Sequence, residues 1–336
     1  MGMGLVGVVE RAHEIGASAI QIFSDNPTSW RRRPEAPLEA AAFRRRLLDL
    51  DIGPVAIHAP YLVNLAGHDE TLFGKSVELM RHELAHAAEF SARFVNVHTG
   101  SHRGSGAEHG IARLIEGLER TTDDLPQRDA APESSNSGGS ADAVASGDLP
   151  LVVLENLSGG GDAIGVTIEE LAAILDSAAA RGIDDRIGFC LDVAHLWGAG
   201  YDVADPIEID DLLDRFDRLI GISRLVMVHL NDSVSGRGSR HDRHAGLGDG
   251  QIGRAGLAHF LCHSKLGHVA YYLETPGMDA GLDAVNVARL NDLVAGRPLT
   301  VANPAAADVA AADVAAADVA AAPHELTAQA PEGAPA

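Results

Sequence analysis

"IGFCLDVAHLWGAGYD", Ile187 to Asp202, opens with a short apolar run that ends in an acid, and a histidine follows three residues later. A run of that length bounded by polar residues reads as a strand buried on both faces, the kind found in parallel sheets. Six further runs fit the same description: "AIQIF" 19–23, "VAIH" 55–58, "FVNVH" 94–98, "LVVLEN" 151–156, "LVMVHL" 225–230 and "VAYYLE" 269–274. Between them lie stretches with helical periodicity, such as "LEAAAFRRRLLDL" 38–50, "TLFGKSVELMRHELAHAAEF" 71–90, "TIEELAAILDSAAARG" 167–182 and "IEIDDLLDRFDRLIG" 207–221. Strand–helix alternation at this spacing predicts an α/β chain of βα units around a parallel sheet. Seven such strands, with no Gly-rich phosphate fingerprint after the first, favour a TIM (β/α)8 barrel over an open doubly wound sheet.

The same runs carry the chemistry. Six of the seven end in a residue able to bind metal: His58, His98, Glu155, Asp192, His229 and Glu274. In a TIM barrel those ends converge on one face, where active sites are built. His195 follows Asp192, and "HDRH" adds Asp242 and His244 in a Gly-rich loop. Nine nitrogen and oxygen ligands without a thiolate suit Zn²⁺, or Mn²⁺ or Fe²⁺, and not a structural zinc-finger site. One histidine at a strand end is ordinarily a hydrogen-bonded structural residue. Six such ends in one chain make a joint pattern.

Composition bounds the rest. The chain has 336 residues, 46% hydrophobic and 4% aromatic, which suits one large domain with an aliphatic interior. Two cysteines, Cys190 and Cys262, cannot build a disulfide framework, and no signal peptide or membrane-spanning run is visible, so a cytoplasmic location is expected. The net charge of −22 counts against nucleic-acid binding. It is unevenly spread, with five excess acids in 123–149 and five in the tail, and the remainder is still about −12. Cations held by a carboxylate-rich site would offset part of that locally. Segment 123–149, rich in Ser, Gly, Ala and Asp, reads as a disordered insertion, and 298–336, with its AAADV repeats, as a disordered tail. Residues 1–297 form the barrel domain.

In order along the chain, "HAPYLVNL" (58–65), "FVNVHTGSH" (94–102), "LENLSGGGD" (154–162), "CLDVAHLWGAGYD" (190–202), "HLNDS" (229–233), "DRHAGLGDGQIG" (242–253) and "LETP" (273–276) resemble the successive motifs of the endonuclease IV family. These are zinc-dependent apurinic/apyrimidinic (AP) endonucleases with a TIM-barrel fold. The resemblance implies three zinc ions per chain, with Mn²⁺ able to replace part of them. By it, His58, His98 and Glu155 hold the first, Glu155 bridges to a second completed by Asp192, His229 and Glu274, and His195, Asp242 and His244 hold the third. Glu155 and Glu274 are then the catalytic carboxylates. The implied reaction is hydrolysis of the phosphodiester 5′ to an abasic site in double-stranded DNA by a monomeric repair enzyme, leaving a 3′-OH and a 5′-deoxyribose phosphate.

Tyr61 and Leu62 match the positions that wedge into the DNA stack. Arg31 to Arg33 of "WRRRPE", with Arg237, Arg240 and Arg243, are candidate phosphate contacts. Three positions depart from the pattern: Thr99 stands for a usual Pro, Val234 for a frequent Lys and Asp249 for a common Glu. The family's opening strand is also missing before "MGMGLVGVVERAHEIGA", so the first strand is expected either upstream of Met1 or not at all. Two other readings remain at this point: a xylose-isomerase-like sugar isomerase or epimerase using Glu155, Asp192, His229 and Glu274 alone, and a truncated, non-catalytic DNA-binding homologue.

Overall fold

The structure, a computed structural model, describes residues 3–123 and 150–302; nearly all of the expected insertion and of the expected tail lies outside the described residues. Seven strands form one parallel sheet in chain order: β1 (Ile20–Ile22), β2 (Val55–His58), β3 (Ala92–His98), β4 (Leu151–Glu155), β5 (Ile187–Asp192), β6 (Leu225–His229) and β9 (Ala270–Tyr272). Two residues from each of β7 (Asp232–Ser233) and β8 (His244–Ala245) pair as a separate antiparallel ribbon. The helices run α1 (Gly4–Ile15), α2 (Ala40–Asp49), α3 (Glu70–His86), α4 (Ala107–Thr122), α5 (Ile168–Ala179), α6 (Val193–Ala199), α7 (Pro206–Leu219), α8 (Gly253–Leu261) and α9 (Leu282–Val294).

Side chains alternate across the sheet with the period of two that a strand imposes. Ile57, Val95, Val97, Leu154, Leu191 and Val228 face outward and pack with the helices. Ala56, Phe94, Val153, Cys190, Met227 and Tyr272 face inward and fill the barrel interior as a small separate cluster. Two residues beyond each inward side chain, on the same face, lies a predicted ligand: His58, Glu155, Asp192, His229 and Glu274, and on β3 His98 after Asn96. The core therefore sets the register of the site. A slip by one residue would turn those polar groups into the helix layer.

The sheet does not close. Among the described residues β1 pairs only with β2 and β9 only with β6, and a cavity of about 970 Å³ runs between their free edges. It descends from His58, His244 and Glu274 at the mouth past Gln21 and Tyr272 to Gly53 and Pro54. The helical ring does close there, since Arg11 of α1 makes a two-pronged pair with Asp283 of α9, both contacts at 2.9 Å. The fold is thus a TIM barrel lacking, among the described residues, one strand, as the sequence led us to expect. Predicted strands fall within a residue or two of the observed ones, with β9 stopping at Tyr272 and Glu274 beyond it, whereas the helical stretches 71–90 and 167–182 outrun α3 and α5 by four and three residues. Among the described residues no helix is long and apolar enough to cross a membrane.

Candidate metal centre

All nine predicted ligands meet at the C-terminal end of the strands. Glu155, fully buried on β4, lies at the centre. One carboxylate oxygen is 3.5 Å from His58 Nε2 and 3.8 Å from His98 Nε2; the other is 3.2 Å from His229 Nδ1 and 3.3 Å from His195 Nδ1. His229 Nδ1 is also 3.4 Å from Glu274 Oε2 and 3.9 Å from Asp192 Oδ2. Asp242 bridges the last pair, 3.1 Å from His195 Nε2 and 3.1 Å from His244 Nε2. The ligand atoms fall into three groups compact enough to hold an ion each: His58, His98 and Glu155; Glu155, Asp192, His229 and Glu274; and Asp192, His195 and His244. Asp192 therefore stands between the second and third groups, with His244 Nε2 at 3.5 Å, a double placement that the spacing of the motifs did not reveal.

The orientation of the imidazoles shows what they face. His58 Nδ1–H donates to the carbonyl of Ala59, His195 Nδ1–H to that of Asn156 and His244 Nδ1–H to that of Glu274. His229 Nε2–H donates to Gln21 Oε1 at 3.0 Å. In each ring the other nitrogen is aimed into the cluster, where it presents a lone pair to a cation once its proton is lost. His195 Nε2, His229 Nδ1, His244 Nε2 and Glu155 Oε1 are buried without any hydrogen-bond partner. Buried polar atoms are rarely orphaned in that way, and a ring with one nitrogen anchored and the other bare is how proteins present histidine to a metal. The donor set fits a cation.

Four carboxamides that sequence reasoning passed over hold these ligands. Gln21 Nε2 donates to Glu274 Oε1 at 2.6 Å. Asn96 donates to Glu155 Oε2, and Asn231 donates to Asp192 Oδ2 while accepting the backbone N–H of Glu274. Asn156 Oδ1 accepts the N–H of Asp192, and Asp192 in turn caps α6 by accepting the N–H of His195 at 2.7 Å. The clue was available: Gln21 and Asn96 are polar residues at inward positions of otherwise apolar strands.

Charge follows the same geometry. Burial lowers the affinity of His195, His229 and His244 for a proton, but neighbouring carboxylates, together with Cys190 for His229, outweigh it. His195 and His229 end well above the usual histidine range and His244 at about 9. Burial would raise Glu155, yet the surrounding imidazoles hold it well below the usual carboxylate range. Burial leaves His98 below its ordinary value. Protons thus occupy the negative cluster where cations would otherwise sit.

The loop carrying Asp242 and His244 is fastened from below. The buried carboxylate of Asp232 accepts backbone N–H groups from Ser233, Gly248, Gly250 and Ile252 at 2.8 to 3.1 Å. A Cβ on Gly250 would come within 2.4 Å of Asp232 Oδ1 and of the Ser233 carbonyl, so glycine is required there. Asp249, the shorter acid in this loop, still reaches Arg289 of α9 at 2.5 Å. Thr99 is buried and donates its hydroxyl to the carbonyl of Ile164.

The predicted DNA-facing residues separate into two sets. Tyr61 is 61% exposed at the cavity mouth, its ring 5.3 Å from Phe23 and 5.7 Å from His58; Leu62 beside it is half-buried. Arg31 and Arg240 are exposed, and Arg243 is half-buried in the cavity wall. Others turn inward. Arg32 reaches buried Glu83 at 3.4 Å, Arg33 donates to the Ser24 carbonyl, and Arg237 pairs with Asp202. Within the charge run at 31–33, Arg32 is the internal brace for the loop after β1, while Arg31 and Arg33 stay exposed.

The comparisons agree with this fold. The family model described as "Xylose isomerase-like TIM barrel" matches residues 9–293. A protein named "Probable endonuclease 4" from Natronomonas pharaonis is 34% identical over 290 residues, covering 86% of this chain and 94% of its own; its counterpart from Haloquadratum walsbyi is 33% identical over the same shares. The crystal structure of endonuclease IV from Thermus thermophilus superposes with a TM-score of 0.71 at 35% identity, covering 88% of this chain and 96% of that one. A D-tagatose 3-epimerase-like structure, with a TM-score of 0.58 at 17% identity over 87% of this chain and 96% of that one, shares the fold alone. With all nine motif residues assembled on one face, this chain belongs to the endonuclease IV family.

Proposed function

We propose that the chain is a zinc-dependent AP endonuclease that hydrolyses the phosphodiester 5′ to an abasic site in double-stranded DNA. The observation that carries this reading is the set of orphaned, inward-aimed donor atoms shared among three adjoining groups of ligands. A sugar isomerase or epimerase needs only Glu155, Asp192, His229 and Glu274, and leaves His58, His98, His195, Asp242 and His244 without a task. The metal ions, when bound, supply neutralisation of phosphate charge and activation of a water nucleophile. His58, His98 and Glu155 would hold one ion, Glu155, Asp192, His229 and Glu274 a second, and His195, Asp242 and His244 a third, with Asp192 close to the last.

The chain's own residues do the rest. Gln21 and Asn231 fix the Glu274 carboxylate from its side chain and its backbone, so that carboxylate cannot swing away when a phosphate enters. Tyr61 and Leu62, beside the first ligand group, stand where they can fill the space left by an extruded abasic sugar, and extrusion costs least where no base is stacked. Arg31, Arg240 and Arg243 offer positive charge to flanking phosphates. Duplex oligonucleotides with one abasic site should be cut on its 5′ side, and the undamaged duplex should stay intact. Equal cutting of both duplexes, or ketose epimerisation without cutting, would overturn the reading.

Two further results are expected from the surroundings of the ligands. Gln21→Ala frees both His229 and Glu274, and outer partners of this kind are worth about 10- to 100-fold in metal affinity. The variant should release zinc to a competing chelator at correspondingly lower chelator concentration, with its melting temperature in saturating zinc unchanged. Unaltered zinc retention would show that Gln21 does not hold the ligands. The second result concerns pH. Because His244 without metal keeps its proton up to about 9, zinc uptake at pH 7 should release protons and should tighten as pH rises. The sign for the metal-free chain is the reverse. A raised histidine value stabilises the fold below the unfolded value near 6.5, and that contribution is lost as pH rises through about 9. Calorimetric zinc titrations in buffers of differing ionisation enthalpy read the released protons directly; no dependence on buffer would refute the protonated cluster.

A further inference from the structure

On the outer helical ring, formed by residues none of which belongs to the strand-end cluster, a second set of side chains converges. Asp210 of α7 has one carboxylate oxygen, Oδ1, placed 2.6 Å from His259 Nε2 and 3.2 Å from His263 Nε2. His259 lies in the last turn of α8 and His263 four residues on, just past the end of that helix, so both rings reach the same side. Their centroids are 5.7 Å apart. His263 is only 12% exposed, whereas Asp210 is 53% exposed and open to solvent. The three ligand atoms lie within 4.8 Å of one another.

From this arrangement we infer that Asp210, His259 and His263 form a second, peripheral site for a divalent transition-metal ion of the zinc–nickel–copper class. Two imidazoles and one carboxylate on adjoining helices are a ligand set those ions take readily, with water completing the shell. The local charge favours a cation. Helix α7 carries Glu208, Asp210, Asp211, Asp214 and Asp217 against Arg215 and Arg218. Lys265 answers Asp214 and Asp217, each at 2.8 Å, while Asp210 is engaged by the two imidazoles.

The same geometry sets the strength. His263 Nδ1 accepts the backbone N–H of Lys265 at 3.3 Å, which places the ring proton of the neutral form on Nε2, facing Asp210. A metal at Nε2 moves that proton to Nδ1 and gives up this long bond, so affinity in the micromolar range is expected, weaker than that of the central cluster. The bound ion would tie α7 to the end of α8.

The test uses the full chain. Zinc binding is measured by equilibrium dialysis over free zinc from nanomolar to about 100 micromolar, for the unaltered protein and for His259→Gln with His263→Gln. The unaltered protein should bind one equivalent more than the variant, the difference appearing in the micromolar range, with incision of abasic DNA equal in the two. Since the reading is a difference between two chains, it holds whether or not the central cluster takes three ions. As a second measurement, one equivalent of Cu²⁺ is added to zinc-loaded protein. Its electron paramagnetic resonance spectrum should show coupling to two imidazole nitrogens, reduced to one in His263→Gln, and Asp210→Asn should weaken copper binding about tenfold. Equal zinc stoichiometry, or a copper spectrum that His263→Gln does not alter, would overturn the inference.

Discussion

Replacing Asp242 and His244 together with alanine should abolish measurable incision of abasic DNA while leaving the barrel folded. The fold should survive because neither side chain is part of its core. Asp242 is half exposed, and the loop is held through backbone groups by Asp232 and by the Val234 N–H to Arg243 carbonyl bond, which alanine does not disturb. Activity should be lost because His195 is then the sole remaining ligand particular to the third group. Stabilising a leaving oxygen is worth several kcal/mol, which corresponds to a rate loss of about a thousandfold or more. Single-turnover cleavage of an end-labelled duplex, run beside a thermal melt, reads both effects. A double variant that melts normally and cuts at the unaltered rate would remove the loop from the reaction.

Glu155→Gln should have the largest effect of any single substitution. Glutamine keeps the shape but presents an N–H₂ group to one pair of imidazole nitrogens, and it removes the only carboxylate common to the first two groups. Both lose their shared ligand, so bound metal should fall from three per chain to about one, because binding and ligand charge are coupled. Incision should drop below detection. Asn96, which donates to this carboxylate at the bottom of the site, is neutral and cannot supply the missing charge. Elemental analysis of the purified variant decides the point. Retention of three metals with normal cleavage would mean that Glu155 is merely a buried acid among histidines.

Much of this was legible because one constraint governs both fold and site. A barrel strand must alternate, so the apolar residue that fills the interior and the ligand two residues later are locked to the same face. That is why Val153 predicts where Glu155 points, and Met227 where His229 points. Relationships set by distance across the fold were not legible. Nothing local to "AIQIF" shows that Gln21 reaches residues 229 and 274, more than two hundred positions away. Arg32 looked like a candidate phosphate contact because its partner, Glu83, is on a helix fifty residues later. Glu274 could be recognised by its motif, but its position beyond the end of β9 is fixed by Asn231. The gap between β1 and β9 was anticipated from a missing pattern, whereas the Arg11–Asp283 closure of the helices across it required the assembled fold.

The most direct measurement is the metal content of the active protein, taken with its incision rate during stepwise removal and return of zinc. Three zinc ions per chain are expected, incision on the 5′ side of the abasic site should vanish as they are withdrawn, and it should return only when all three groups are refilled. Full incision by protein holding one metal or none would contradict the assignment of these nine residues.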